Sequence, residues 1–342
     1  MNGSETARGS QTWEPAPRRG EELIQVAEAV RQADDWLIVT HERPDGDAVG
    51  SALAMAHVLS ALGKSWQFVV EEPLPKRFSF LPMFSLAYPI SNGIDRQFQN
   101  VVAVDCADRG RFEKLWGVIA DGARIVNIDH HQTNPRYGTA WLVDEQAAAT
   151  CELVYHVVRQ LQIPLTADLA TCLYTGILTD TGGFSLPNTT REVHQIAAEL
   201  VAAGVRPYDV AEPALESRTW PQMRLIQMAL NNLTVSEDGR YAIVYVTEGM
   251  LEGAGCTDDD TQVLVNFPRS IDTVEVGALF REIGGGRVKV SLRSKRTVDV
   301  SRIAQHWGGG GHVRAAACVL TCDLPEAIDQ VCARIEEALA EA

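Results

Sequence analysis

The chain has 342 residues, 46% of them hydrophobic, and a formal charge of −15 from 45 acidic and 30 basic side chains. That is enough chain for two cores, with no apolar run long enough to span a bilayer. It is also the wrong sign of charge for tracking along duplex nucleic acid, which calls for a basic face.

Residues 1–20 are polar and rich in Gly, Ser, Pro and Arg. They lack the apolar stretch of a secretory signal and are predicted to be a disordered extension. Apolar spacing at Leu23, Ile24, Val26, Ala27 and Val30 predicts a helix over 21–33. The run Trp36-Leu37-Ile38-Val39 reads as a buried strand; a loop carrying His41, Asp45 and Asp47 follows it, then a helix over 48–62. Residues 66–70 read as a second strand and 71–89, rich in Pro and Phe, as irregular. Val101 to Val104 run into Asp105 ahead of a short helix over 109–116. Ile125 to Ile128 run into Asp129-His130-His131. Past Thr139 the pattern turns helical, over 146–161, 167–178 and 190–203.

Strands alternating with helices predict an α/β domain over 21–204, with a parallel sheet and helices on both faces. Pro207, Pro213 and Pro221 mark 205–222 as an inter-domain linker. In residues 223–342, two pairs of strand-like runs flank Glu237-Asp238-Gly239-Arg240 and Gly284-Gly285-Gly286 as hairpins. Helices are expected over 300–306 and 325–339, giving a smaller α+β domain. Seven dispersed cysteines, none in a C-x-x-C pair, point to reduced thiols and a cytoplasmic location rather than a disulfide framework; Cys106, Cys151 and Cys172 read as core residues.

Acids and imidazoles recur at the carboxyl ends of successive strands, where open α/β sheets bind ligands. His41, Asp45 and Asp47 follow the first strand, Asp105 a second, and Asp129, His130 and His131 a third; Asp180 follows the apolar run 173–178. A lone Asp after a strand ordinarily caps a helix, and a lone His ordinarily serves structure. The recurrence is what singles out the set. Crowded carboxylates repel, and a cation relieves them. One nitrogen and two oxygen ligands in the first loop suit Mn, Fe, Zn or Mg.

His41-Glu42-Arg43-Pro44-Asp45-Gly46-Asp47-Ala48-Val49-Gly50-Ser51, Val104-Asp105-Cys106-Ala107-Asp108, Ile128-Asp129-His130-His131-Gln132-Thr133-Asn134 and Gly176-Ile177-Leu178-Thr179-Asp180-Thr181-Gly182-Gly183-Phe184 resemble the four motifs of the DHH phosphoesterase family. Gly308-Gly309-Gly310-Gly311-His312-Val313-Arg314-Ala315-Ala316-Ala317 resembles the signature of its DHHA1 companion domain, with Ala317 where the family usually has Gly. The pattern is most similar to the nano-RNase A type. The resemblance implies a catalytic DHH domain facing a substrate-binding DHHA1 domain across a cleft. It implies a metal-dependent phosphohydrolase that degrades nano-RNA and dinucleotides to mononucleotides and removes the 3′-phosphate of 3′-phosphoadenosine 5′-phosphate (pAp).

It also implies two divalent ions, Mn²⁺ foremost, with Mg²⁺ or Co²⁺ able to substitute. His41 and Asp45 would hold the first ion, Asp47, His130 and Asp180 the second, and Asp105 both. Asp129 would be hydrogen-bonded to a ligating histidine, His130 or His41. His131 would face the substrate as a phosphate contact or proton donor. Arg293 and Gly309, Gly310, Gly311 and His312 would bind phosphate, Arg109 would be a second grip, and Phe184 would stack on a base. Short single-stranded RNA or DNA and pAp are the expected partners, with no membrane and no long duplex; the resemblance also implies a homodimer through the first domain. Alternatives of the same chemistry are a cyclic-dinucleotide or linear pApA phosphodiesterase, a RecJ-like exonuclease (disfavoured by size and acidity) and a family II pyrophosphatase (disfavoured by the second domain). An alternative of another class is a nucleotide-binding sensor without turnover, against which the complete ligand set argues.

Overall fold

Strand β1 (Trp36–Val39) is Trp, Leu, Ile and Val in succession, all fully buried. A continuous apolar run is what a strand covered on both faces needs. The computed structural model describes residues 19–341, which form two units parting between Ser217 and Arg218.

In the first unit β1 is followed by α2 (Gly46–Ala61), β2 (Trp66–Val70), β3 (Tyr88–Pro89), β4 (Phe98–Val104), β5 (Ile119–Asp129) and β6 (Ala140–Val143), with α1 (Gly20–Gln32) before it. Helices α3 (Thr150–Gln160), α4 (Ala167–Asp180), α5 (Arg191–Ala202) and α6 (Pro207–Ala211) complete it. The six strands are all parallel, in the order β3-β2-β1-β4-β5-β6. Trp36 and Ile38 point into the core made with the α-helices. Leu37 and Val39 point the other way, toward Phe112 and Leu115 of a 3-10 segment, Arg109–Val118. Helices cover both faces, but only one is covered by α-helices. Helix α2 is apolar nearly all round and almost wholly buried, as a core helix must be.

Three local readings change. The run Ala140–Val143, absorbed into a helical stretch from the sequence, is an edge strand, and α3 begins only at Thr150. Asp45 caps α2, so Asp47 lies in its first turn and not in the loop. Arg19 and Gly20 do not belong to a disordered extension: Gly20 opens α1 and Arg19 is buried among acids. Residues 1–18 lie outside the described residues. In the expected linker, α6 and a π-type turn, Glu212–Glu216, pack on α4.

The second unit holds α7 (Trp220–Leu230), β7 (Thr234–Val235), β8 (Tyr241–Val246), α8 (Glu248–Ala254), α9 (Asn266–Ser270), β9 (Val276–Glu282), β10 (Val288–Ser294), α10 (Val300–Gln305), β11 (Gly310–His312), β12 (Ala315–Leu320) and α11 (Leu324–Glu341). Its sheet runs β11-β12-β10-β9-β8-β7, antiparallel except for β8–β9. The glycine run is not a free turn: Gly310 to His312 form the edge strand, with Gly310 paired to Ala317. A Cβ on Gly309 would meet the Ala317 carbonyl at 2.3 Å, so glycine is what lets this backbone lie against β12. No helix among the described residues is long and apolar enough to cross a membrane, and all seven cysteines are free thiols.

Candidate metal centre

The sheet order turns back between β1 and β4, and such a switch point opens a crevice at the strands' carboxyl ends. His41 lies just past β1, Asp105 just past β4 and His130 just past β5. Asp105 takes a left-handed φ of 55°, a conformation short polar side chains tolerate, and its amide donates to the Ile128 carbonyl at 3.0 Å. Asp180 comes from the end of α4. Helices α2 and α4 cross at contact distance: a Cβ on Gly50 would sit 2.6 Å from the Cys172 carbonyl, and one on Gly46 2.4 Å from Thr179 Oγ1. Only glycine permits that approach, which brings Asp47 toward Asp180.

Asp47 is wholly buried. Its carboxylate accepts from the amides of Thr150 at 2.6 Å and Cys151 at 2.9 Å, the first turn of α3, whose N–H groups have no partner within the helix. The Thr150 hydroxyl donates to Asp105 Oδ1 at 3.0 Å. Both histidines are fixed by carbonyls, which can only accept. His41 Nδ1 donates to Glu42 O at 2.6 Å and His130 Nδ1 to Ala147 O at 3.2 Å. Each therefore turns its Nε2 to the carboxylates. His41 Nε2 is 3.5 Å from Asp105 Oδ2; His130 Nε2 is 3.3 Å from Asp180 Oδ2, 3.8 Å from Asp105 Oδ1 and 3.9 Å from Asp47 Oδ2.

Two donor sets result: His41, Asp45 and Asp105, and Asp47, His130 and Asp180, each with its donor atoms within 4.8 Å of one another. The two oxygens of Asp105 face different sets. Beside them, His131 Nδ1 donates to Asp129 Oδ1 at 2.8 Å, and Asp129 Oδ2 accepts from Asn134 at 2.6 Å. Asp129 thus partners His131, where the sequence reading weighed His130 and His41.

Burial and the charges of Asp105 and Asp180 push the Asp47 carboxyl well above the usual range. Burial also raises Asp180, to about 6, against the hydrogen bond from His130. Burial alone would lower His41, but the hydrogen bond and charge of Asp105, with Asp45, lift it to about 9. Asp105 would rise by burial, yet His41, His130 and His131 hold it down to about 2. Protons are doing what a cation would do: neutralising acids that burial makes costly to leave charged. Two imidazole Nε2 atoms and four carboxylates, brought together from β1, α2, β4, β5 and α4, fit divalent ions of the N/O-binding kind.

Each of the other candidate residues stands in contacts of its own unit. Arg109 opens the 3-10 segment with its guanidinium over the rings of Trp116 and Tyr137, 5.7 and 5.8 Å from their centroids. Phe184 packs against the core, stacked on His194 with centroids 5.3 Å apart, so one ring face is already covered. In the second unit Arg293 ends β10, donating to the Leu292 carbonyl; burial and the charge of Arg269 lower its pKa. Gly310, Gly311 and His312 edge the same sheet.

Sequence reasoning missed Thr150 and Asn134. Asn134 stood inside a quoted motif without a role. Thr150 carries no signal in a sequence, because it acts by where α3 begins.

A model of the DHH family N-terminal domain matches residues 35–177, and one of the DHHA1 domain matches residues 238–341. The bifunctional oligoribonuclease and PAP phosphatase NrnA of Thermus thermophilus is 36% identical over 96% of this chain and 98% of its own. A probable protein of the same description from Streptococcus mutans is 30% identical over 84% of this chain and 90% of its own. The crystal structure of an exopolyphosphatase-related protein from Bacteroides fragilis superposes with a TM-score of 0.85 at 25% identity, covering 94% of this chain and 96% of that one. RecJ of Thermus thermophilus with Mn²⁺ shares the fold at a TM-score of 0.54 and 14% identity, over 94% of this chain and 55% of that one.

Proposed function

Because the chain belongs to the DHH family, with a DHHA1 domain as its second part, we propose that it is a divalent-metal-dependent phosphohydrolase that cuts very short oligonucleotides to mononucleotides and removes the 3′-phosphate of pAp. The observation that carries the chemistry is the pair of donor sets sharing Asp105. The names of the relatives carry the substrates.

In this reading His41 and Asp45 would hold one ion, Asp47, His130 and Asp180 the other, and Asp105 would serve both; Mn²⁺ would suit the mixed nitrogen and oxygen donors. Bound there, the ions supply charge neutralisation at the phosphate and a water acidic enough to ionise near neutral pH. The protein's own groups do the rest. Thr150 holds Asp105 and, through its amide, Asp47 in position. His131, oriented by Asp129 and raised in pKa first by that hydrogen bond, carries a proton on Nε2 for the leaving oxygen. In the second unit Arg293 and the edge strand of Gly310, Gly311 and His312 form an anion-binding patch for a substrate phosphate. There the guanidinium lies beside Arg269, a second cation.

The test is side-by-side turnover with Mn²⁺ of pAp, a dinucleotide, a five-mer, a long single strand and a cyclic dinucleotide, with Asp105→Ala as control. Preference for pAp and the dinucleotide, lost in the variant, is the expected result. Preference for the long strand or the cyclic dinucleotide would overturn the substrate; pAp binding without turnover in any divalent metal would overturn the enzyme.

A further inference from the structure

We infer that Arg19 is a positioning residue for the metal centre: its guanidinium clamps both ends of the turn spanning residues 144–152, and that turn holds the ligands of the second ion. The inference rests on the two-ion reading above.

The turn is a hub. The Ala147 carbonyl fixes the tautomer of His130. The Thr150 and Cys151 amides hold Asp47, and the Thr150 hydroxyl holds Asp105. Asn188 Nδ2 donates at 3.1 Å both to the Ala148 carbonyl and to the Asp180 carbonyl, tying the end of α4 to the same turn. Four of the six candidate ligands thus depend on five consecutive residues, three of them ahead of α3 and two opening it.

Such a segment needs bracing, and the bracing is ionic. Asp144 opens the turn: its amide donates to the Asp129 carbonyl, its Oδ1 accepts from the Gln146 amide and its carbonyl accepts from Ala147. Glu152 closes it: Oε2 accepts from the Ala148 amide at 2.8 Å. Arg19 reaches both. Nε donates to Asp144 Oδ2, Nη2 to Glu152 Oε1 at 3.0 Å, and Nη1 to His156 Nε2 at 2.8 Å and Glu192 Oε1 at 3.3 Å. Arginine cannot accept, so His156 Nε2 is the acceptor of that bond. Arg19 is 5% exposed and Glu152 1%; without the guanidinium Glu152 would be a buried anion facing Glu192, and the turn would have to move to solvate it. Lysine is a poor substitute, since one ammonium cannot span acceptors that a planar fork reaches together.

The test is Mn²⁺ binding, read from the free-ion EPR signal well below the unfolding temperature, with Tm measured in parallel. Arg19→Ala is expected to weaken Mn²⁺ binding about tenfold, the low end of what outer partners of metal ligands contribute. Arg19→Lys should fall between it and wild type. Leu23→Ala, which loosens α1 at a buried position but keeps the guanidinium, should lower Tm and leave Mn²⁺ binding unchanged. Should Arg19→Ala fail to fold, Asp144→Asn removes one arm of the clamp and should weaken binding in the same direction by less. Wild-type affinity in both Arg19→Ala and Asp144→Asn, or equal weakening by Leu23→Ala, would overturn the inference. A wild-type protein that binds no Mn²⁺ would instead overturn the two-ion reading.

Discussion

Gly176→Ala adds one methyl group, and the structure says where it would go. A Cβ there would lie 2.3 Å from Cys151 Sγ, 2.5 Å from Asp47 Oδ1 and 2.9 Å from Cys151 Cβ. None of these can yield cheaply, because Cys151 is in the first turn of α3 and Asp47 is pinned by two amides. Overpacking costs about 1–3 kcal/mol, and straining a hydrogen bond to a charged group adds about 1.5–3 kcal/mol. Alanine is the better helix former by about 1 kcal/mol, which offsets part of this. The net loss is about 1.5–5 kcal/mol, or roughly 3–20 °C in Tm for a unit of this size. Thermal melts without metal, and Mn²⁺ titrations of the same samples, should show a lower Tm and weaker binding. Adding Cys151→Ala removes the sulfur contact and should restore part of the Tm but not the affinity, because the Asp47 contact persists. Gly176→Ala with a Tm at or above wild type and unchanged Mn²⁺ binding would refute the reasoning.

Thr150→Val removes the hydroxyl bond to Asp105 while keeping the amide bond to Asp47; kcat should fall about tenfold with Mn²⁺ present, as read by dinucleotide turnover. His131→Asn removes the proposed proton donor but no metal ligand, so kcat should drop by roughly 10²–10⁴ with Mn²⁺ binding intact by titration. The metal-free protein should lose stability as pH rises from 7 to 9. His41 and His131 have folded pKa values above their unfolded ones, so the stability they contribute is complete below about 6.5 and drains as pH climbs through about 9 for His41. The loss from His41 is roughly 2 kcal/mol. Saturating Mn²⁺ should flatten the profile, since metal-bound imidazoles carry no exchangeable proton at Nε2; Tm measured against pH with and without EDTA checks both.

The six candidate ligands were legible because each stands at the end of an apolar run, and the runs become adjacent parallel strands or core helices. Periodicity places a residue on an element and says little about what touches it. That is why Asp129 was associated with His130 or His41 when its hydrogen bond goes to His131. Nor does periodicity show that Phe184, a candidate base platform, has one ring face stacked on His194. Strand β6 escaped because four apolar residues ahead of a helix fit either pattern. The glycine run carries no strand signal by composition; its pairing to β12 is a tertiary fact. Arg19 was hidden most deeply, an arginine at the end of a polar stretch whose four partners come from sequence positions 125 to 173 residues away.

The central claim is that one carboxylate, Asp105, serves two ions. Ions bridged in this way sit about 3.5–4 Å apart, close enough for their spins to couple, so EPR of the Mn²⁺-loaded protein tests the claim directly. Two Mn²⁺ per chain with an exchange-coupled signal are expected in the wild type, and a signal of isolated Mn²⁺ in Asp105→Asn. One Mn²⁺ per chain, or two that give uncoupled signals in the wild type, would contradict it.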